Sequence, residues 1–348
     1  MSVTRREWLK LAGAAGALGL APAIVRAQKL EKKAVAIAVG GKPLTYYLPL
    51  TIAEVRGYFK DEGLDVTIAD FAGGAKALQA VVGGSADIVS GAFEHALNLQ
   101  SKGQFYRDFV LQGRAPMIGF GVSTKTMANY KSPADLKGKK IGVTAPGSST
   151  NMVVNFFLAK HGLKASDVSI IGVGAGAGAI TALKTGQIDA ISNTDPVVTS
   201  LEHSGDLKVI VDTRTLKDTR EIFGGNMPAG CLYCAQSYID ANPNTVQALA
   251  NAIVRADKWI HAQKNNLDAI ANAVPKSYLL GEPEVYKASL RASMDGFSPD
   301  GMFPEDGAAT AVKALAAFVP DFDPKKVDPS KMWTNEFAKR ANEKYPNG

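Results

Sequence analysis

Short apolar runs alternate with glycine-punctuated amphipathic segments along this chain, and the pattern occurs twice. Residues 71–99 laid over 173–201 at a constant offset of 102 match Gly74 with Gly176, Ala80 with Ala182, Gly84 with Gly186, Asp87 with Asp189 and Ser90 with Ser192. Both copies predict a strand end, a Gly/Ala-rich turn, a short helix, a glycine turn and an apolar strand. The repeat extends upstream: residues 33–39 and 140–144 read as apolar strands behind basic residues. Each then passes a Gly/Pro turn (Gly40 to Pro43, Pro146-Gly147) into a helix ending at Gly63 or Gly162, followed by strands at 66–68 and 168–171. Glycine just past a helix supplies the left-handed cap that other residues adopt at a cost. Each half is therefore β-α-β-α-β, and helical crossovers imply parallel strands. Two such halves predict two α/β lobes facing each other across a cleft.

Further strands are expected at 109–111, 118–122, 209–211 and 229–236, and residues 213–226 read as a polar loop. From Asn242 the chain is largely helical. One helix runs to about residue 262 with Val246, Leu249, Ile253 and Ala256 at helical spacing, and others fit 282–293 and 304–318. The expected division is one lobe from 34–124 plus 228–348 and a second, inserted lobe from 125–227, with two crossing strands as the hinge.

The first residues change the picture of where the protein works. Thr4-Arg5-Arg6-Glu7-Trp8-Leu9-Lys10 fits a twin-arginine export signal, an Ala/Gly-rich apolar stretch follows, and Val25-Arg26-Ala27 fits a cleavage site. The stretch is too short and glycine-rich for a transmembrane anchor. Removing residues 1–27 takes Arg5, Arg6, Lys10 and Arg26 against Glu7, so a net charge of +6 falls to +3. Lysines are scattered with no basic stripe, which argues against nucleic acid as a partner. Cys231 and Cys234, the only cysteines, lie in an expected buried strand and read as small core thiols; no metal site or cofactor is expected. There is no G-x-S-x-G, H-E-x-x-H or P-loop, hence no expected catalytic residue.

In parallel sheets, ligands bind beyond the carboxyl ends of the strands, where helix N-termini also point. The loops so placed offer Gly73-Gly74 and Ser148, Ser149 and Thr150, whose backbone N–H groups suit a small anion. Tyr46, Tyr47 and Phe93 are candidates to wall a pocket. Glu94, Asn193 and Asp195 sit in matching loops of the two lobes, where a carboxylate suits an ammonium or ring N–H; Asp195 before Pro196 equally fits a helix cap. The Gly174 to Ala179 run has the form of a dinucleotide fingerprint, but its counterpart at Gly73-Gly74 makes it one more copy of the repeated turn.

These residues resemble the substrate-binding proteins of nitrate/sulfonate/taurine-type ABC importers, a group that includes thiamine-precursor binders. The resemblance rests on residues 46–50 with Ala53, Gly57-Tyr58-Phe59-Lys60-Asp61-Glu62-Gly63-Leu64, Gly73-Gly74 with Ala77-Leu78, Gly84 with Asp87, residues 135–143, Pro146-Gly147-Ser148, and Gly186 with Asp189-Ala190. It covers nearly all of 34–260. It implies a type II periplasmic-binding-protein fold, two mostly parallel lobes with a helical C-terminal tail. It also implies a monomeric, non-enzymatic periplasmic protein that closes on a small anion or zwitterion (sulfonate, taurine, nitrate or aromatic acid) and delivers it to an inner-membrane permease and ATPase. The alternatives are a pyrimidine-precursor binder or synthase on the same fold, whose cysteine-rich motif this chain lacks, and a ligand sensor for a membrane receptor.

Overall fold

The structure is a computed structural model that describes residues 29–319 and 322–348; the segment 1–27, expected to be an export signal, lies outside the described residues. Among the described residues, ten strands form two five-stranded sheets. They are β1 (Ala34–Val39), β2 (Asp65–Asp70), β3 (Ile88–Ala92), β4 (Tyr106–Leu111), β5 (Ile118–Ser123), β6 (Lys140–Val143), β7 (Ser169–Gly172), β8 (Ala190–Thr194), β9 (Leu207–Asp212) and β10 (Gly230–Ala235). The sheet orders are β2-β1-β3-β10-β4 and β7-β6-β8-β5-β9. Superposing these orders pairs β1 with β6, β2 with β7 and β3 with β8, the equivalences the sequence repeat predicts. In both sheets these three strands run parallel and the other two antiparallel to their neighbours. The central strands β3 and β8 are buried along their whole length, while the edge strands β2 and β7 are mostly exposed or half-buried. The Val/Ile/Ala runs thus fall where helices cover both faces.

The antiparallel members are the crossing strands. β5 enters the second sheet beside β8, with Ile118 opposite Thr194, and β10 returns to the first beside β3, with Gly230 opposite Ala92. The crossover segments bond to each other, Gly113 N–H to Gly230 O at 2.9 Å and Ala229 N–H to Gly113 O at 2.9 Å. Residues 118–123, expected on the first lobe's side of a boundary at 124, hydrogen-bond within the second sheet, so the first crossing falls at 112–117. A buried apolar strand carries no mark of which sheet it joins; pairing decides it.

Two helices depart from expectation for local reasons. The helix expected to run to Gly63 breaks at Gly57 (φ 75°) into Leu48–Val55 and Tyr58–Asp61. The polar segment 213–226 contains the helix Leu216–Phe223, with the Thr215 side chain accepting from Asp218 N–H and Gly224 in the left-handed region. Only Thr219 and Phe223 are buried in it, one turn apart, and the surrounding charges hide that narrow stripe.

The helical tail touches both lobes. Helix Pro243–Ala262 buries Val246, Leu249, Ile253 and Ala256 and packs on Leu48–Val55 and Glu336–Lys344. Helix Pro283–Ser293 reaches Val197–His203, and Gly307–Phe318 lies against both Glu94–Gln100 and Ser149–Lys160. Cys231 and Cys234 are free and buried, and they join different core clusters, as residues three apart on a strand must. No helix among the described residues is long and apolar enough to cross a membrane.

Candidate functional site

The C-terminal ends of β1, β2, β6 and β8 converge where the lobes meet. After β1, Asp70 at the end of β2 accepts the Gly41 and Lys42 N–H groups at 2.9 and 2.8 Å, which shapes the turn leading into Thr45–Tyr47. Tyr46 and Tyr47 follow with rings 4.8 Å apart, edge to face, both almost wholly buried. In the other lobe the turn after β6 is tied internally. Thr150 Oγ1 accepts from Thr144 N–H at 3.1 Å, and Asn151 Oδ1 accepts from Gly147 N–H at 3.0 Å. Helix Ser149–Lys160 starts there, and its first N–H groups have no partner within the helix.

The lobes touch through bonds between these loops, among them Thr45 Oγ1 donating to Asp195 O at 3.2 Å. Ser148 Oγ accepts from Ala75 N–H at 3.0 Å, Ser149 Oγ donates to Glu94 Oε1 at 2.6 Å, and Asp195 O accepts from Thr45 N–H at 2.8 Å. The Gly/Ala turns of the repeat meet across the same seam. A Cβ on Gly73 would lie 2.7 Å from the Ala145 Cβ, and one on Gly41 would lie 2.5 Å from that of Ala175. Close approach of two backbones is what these small residues permit, which accounts for the composition that imitates a nucleotide fingerprint.

Between these contacts lies a cavity of about 20 Å³, room for one or two waters with the lobes so apposed. Tyr46, Tyr47, Gly74, Ser148, Ser149 and Thr150 line it, together with Gly40, Leu44, Ile118, Thr144 and Thr194. Two of its hydroxyls, Tyr46 OH and Thr194 Oγ1, are buried without a hydrogen-bond partner among the described residues. Burial, followed by the Glu94 charge, raises the Tyr46 pKa well above its ordinary value, so its hydroxyl is a neutral donor. No Lys, Arg or His among the described residues lines this cavity.

The remaining candidates are placed differently. Gly73 (φ 139°) forms the seam rather than the cavity wall. Phe93 is fully buried against Phe303. Asn193 is engaged within its own lobe, donating to Gly174 O at 3.1 Å and accepting from Thr194 N–H. Asp195 lies just before Pro196, the N-cap of helix Val197–His203, and serves that helix start: its Oδ1 accepts from Thr199 N–H and Oγ1 at 2.8 and 2.7 Å, and its Oδ2 from Ser293 Oγ at 3.3 Å. Burial raises its pKa, against the pull of Arg214 at 3.7 Å. Thr144, Thr194 and Ile118 are cavity residues that sequence reading passed over. Thr194 lay within a named loop, while Ile118 belongs to a crossing strand whose partner sheet was not legible. No group of three or more potential metal ligands occurs among the described residues.

The site thus sits between two α/β lobes joined by crossing strands, the periplasmic-binding-protein architecture. The chain belongs to the NMT1-like family, whose model matches residues 28–274. A Bordetella bronchiseptica protein structure is 79% identical with a TM-score of 0.91, covering 92% of this chain and all of that one. The nitrate-binding protein NrtA of Synechocystis is 17% identical with a TM-score of 0.71, over 90% and 89% of the two chains. The alkanesulfonate-binding protein SsuA of Xanthomonas axonopodis, solved with MOPS, is 20% identical with a TM-score of 0.67, over 88% and 99%. These last two show the fold. Curated relatives match over less of their length: the chain spans 62% of a Bacillus subtilis protein and 38% of a yeast pyrimidine phosphate synthase.

Proposed function

We propose that this chain is the periplasmic substrate-binding component of an ABC importer, exported by the twin-arginine route and working as a monomer without catalysis. Its lobes close on a small anion or zwitterion, such as a sulfonate, taurine, nitrate or an aromatic acid, and the closed form is read by an inner-membrane permease with its ATPase. The observation that carries this reading is the inter-lobe cavity with two buried, unpartnered hydroxyls, Tyr46 and Thr194, beside the start of helix Ser149–Lys160. A buried hydroxyl without a partner costs stability, and a ligand that supplies the partner recovers it. The helix start adds a positive pole for the anionic end. The fold shared with nitrate- and sulfonate-binding proteins and the absence of a catalytic motif support transport over turnover.

The test is Tyr46→Phe, measured by calorimetric titration and thermal unfolding together. With no ligand, removing an unsatisfied hydroxyl leaves stability unchanged or raises it by about 1 kcal/mol. Ligand affinity falls about tenfold, since one hydrogen bond is lost. Equal affinity in variant and wild type places the ligand elsewhere.

A further inference from the structure

A second pocket, of about 200 Å³, opens where helices Glu94–Gln100, Ser149–Lys160 and Gly307–Phe318 meet. Ser148 is its only wall residue in common with the hydroxyl-lined cavity, and the Glu94–Ser149 bond closes one side. Its polar wall, which also carries Ser148, Asn151 and Asn155, holds acceptors that lack donors. Glu94 and Asn98 stand one turn apart on one helix face and both line it. Glu94 is 4% exposed, yet Ser149 Oγ is its one hydrogen-bond donor among the described residues, and no basic side chain there pairs with it. Asn98 Oδ1 is buried and has no partner among the described residues. His95, 5% exposed, holds Tyr233 OH at 3.0 Å through Nδ1, and its Nε2 has no hydrogen-bond partner among the described residues. Burial lowers the His95 pKa, so the ring supplies no compensating positive charge. Opposite these groups, Met152, Leu315 and Phe318 give an apolar wall.

A carboxylate taken almost entirely out of water requires donors or a counter-charge, and here neither is complete. We infer that this pocket binds a primary ammonium carried on a short apolar body, with Glu94 and Asn98 Oδ1 accepting its N–H groups and the alkyl portion resting on Met152, Leu315 and Phe318. Residues from both lobes and from the tail contribute, so such a ligand also holds the lobes together, whatever the smaller cavity takes.

The test is calorimetric titration of the purified protein with butylammonium at neutral pH, with butanesulfonate as the anionic comparison. Wild type shows saturable binding of butylammonium, and butanesulfonate, which the hydroxyl-lined cavity accepts, does not compete with it. Glu94→Gln and Asn98→Leu each weaken it about 10- to 100-fold, the effect of losing a hydrogen bond to a charged group. Asn98→Leu leaves the Glu94–Ser149 bond in place, so its loss of binding separates a ligand contact from a closure contact. No saturable binding to wild type by about 10 mM, a weak limit on the affinity scale, overturns the assignment. Displacement of butylammonium by the sulfonate, or variants that bind butylammonium as wild type does, also overturns it. None of these failures touches the hydroxyl-lined cavity, which Tyr46→Phe tests on its own.

Discussion

Replacing Gly40 with alanine is expected to cost about 3 kcal/mol of stability, a fall of roughly 6 to 12 °C in Tm, and to abolish ligand response. Gly40 closes β1, and a Cβ there would lie 2.1 Å from Gly74 N, 2.2 Å from Gly73 C and 2.5 Å from Gly74 Cα. These are backbone atoms of the neighbouring turn, so no side chain can swing away to make room. The Gly73-Gly74 turn has to move, and it is the turn that meets Ala145 and presents Ala75 N–H to Ser148. Stability and closure therefore fail together. Gly176→Ala is the control: nothing lies within 4 Å of its Cβ position and its φ of −155° is ordinary extended backbone. That variant changes stability by no more than about 0.5 kcal/mol. Thermal unfolding of the pair checks both; a Gly40→Ala protein as stable as Gly176→Ala would refute the packing argument.

The second large effect is at Arg214. Its guanidinium donates to Asp212 Oδ2 at 2.6 Å and Glu202 Oε2 at 2.8 Å, and lies 3.7 Å from the fully buried Asp195 carboxylate. Burial alone would lower the Arg214 pKa; the bonds to Asp212 and the Asp195 charge more than reverse this and keep it protonated. Asp212 and Glu202 are about a third exposed and can turn to water, so their loss matters little. Asp195 cannot. Arg214→Met leaves it as a buried carboxylate with only Thr199 and Ser293 to serve it, and is expected to cost about 3 to 5 kcal/mol. Asp195→Asn in the same chain restores much of that loss, because the uncompensated charge is gone. A double-mutant cycle by denaturant unfolding reads the coupling directly; simple additivity of the two single changes would contradict it. Because Asp195 O also receives Thr45 N–H from the other lobe, the same cluster positions the seam.

The repeat was legible because its glycines do a job that only glycine does. Gly63, Gly84, Gly162 and Gly186 all have φ between 73° and 79°, so the punctuation that aligns the two halves survives small changes in the length between its marks. From it follow the parallel strands, the equivalence of the two sheets and the converging loops that carry Tyr46, Tyr47, Gly74 and Ser148 to Thr150. What the sequence concealed depends on long-range pairing. Ile118–Ser123 has the same apolar character as any central strand, and only its pairing with β8 and β9 assigns it to the second sheet. Asp195 and Glu94 occupy comparable loops and differ in what surrounds them, one satisfied by four groups of its environment and the other by a single hydroxyl. Asn98 and His95 gained meaning only when the tail helix Gly307–Phe318 folded across both lobes to form a pocket wall.

The central claim is that this is a binding protein whose ligand lies between its lobes. The most direct measurement is thermal unfolding of the purified chain, stripped of carried-over ligand, against nitrate, bicarbonate, taurine, alkanesulfonates, aromatic carboxylates and pyrimidines. A ligand at about 100 times its Kd adds about 2.7 kcal/mol, enough to raise Tm by several degrees. The account predicts that one chemical class gives such a rise and that the ligand is recovered unaltered. A well-folded protein whose Tm no member moves, or one that returns its ligand chemically changed, would contradict it.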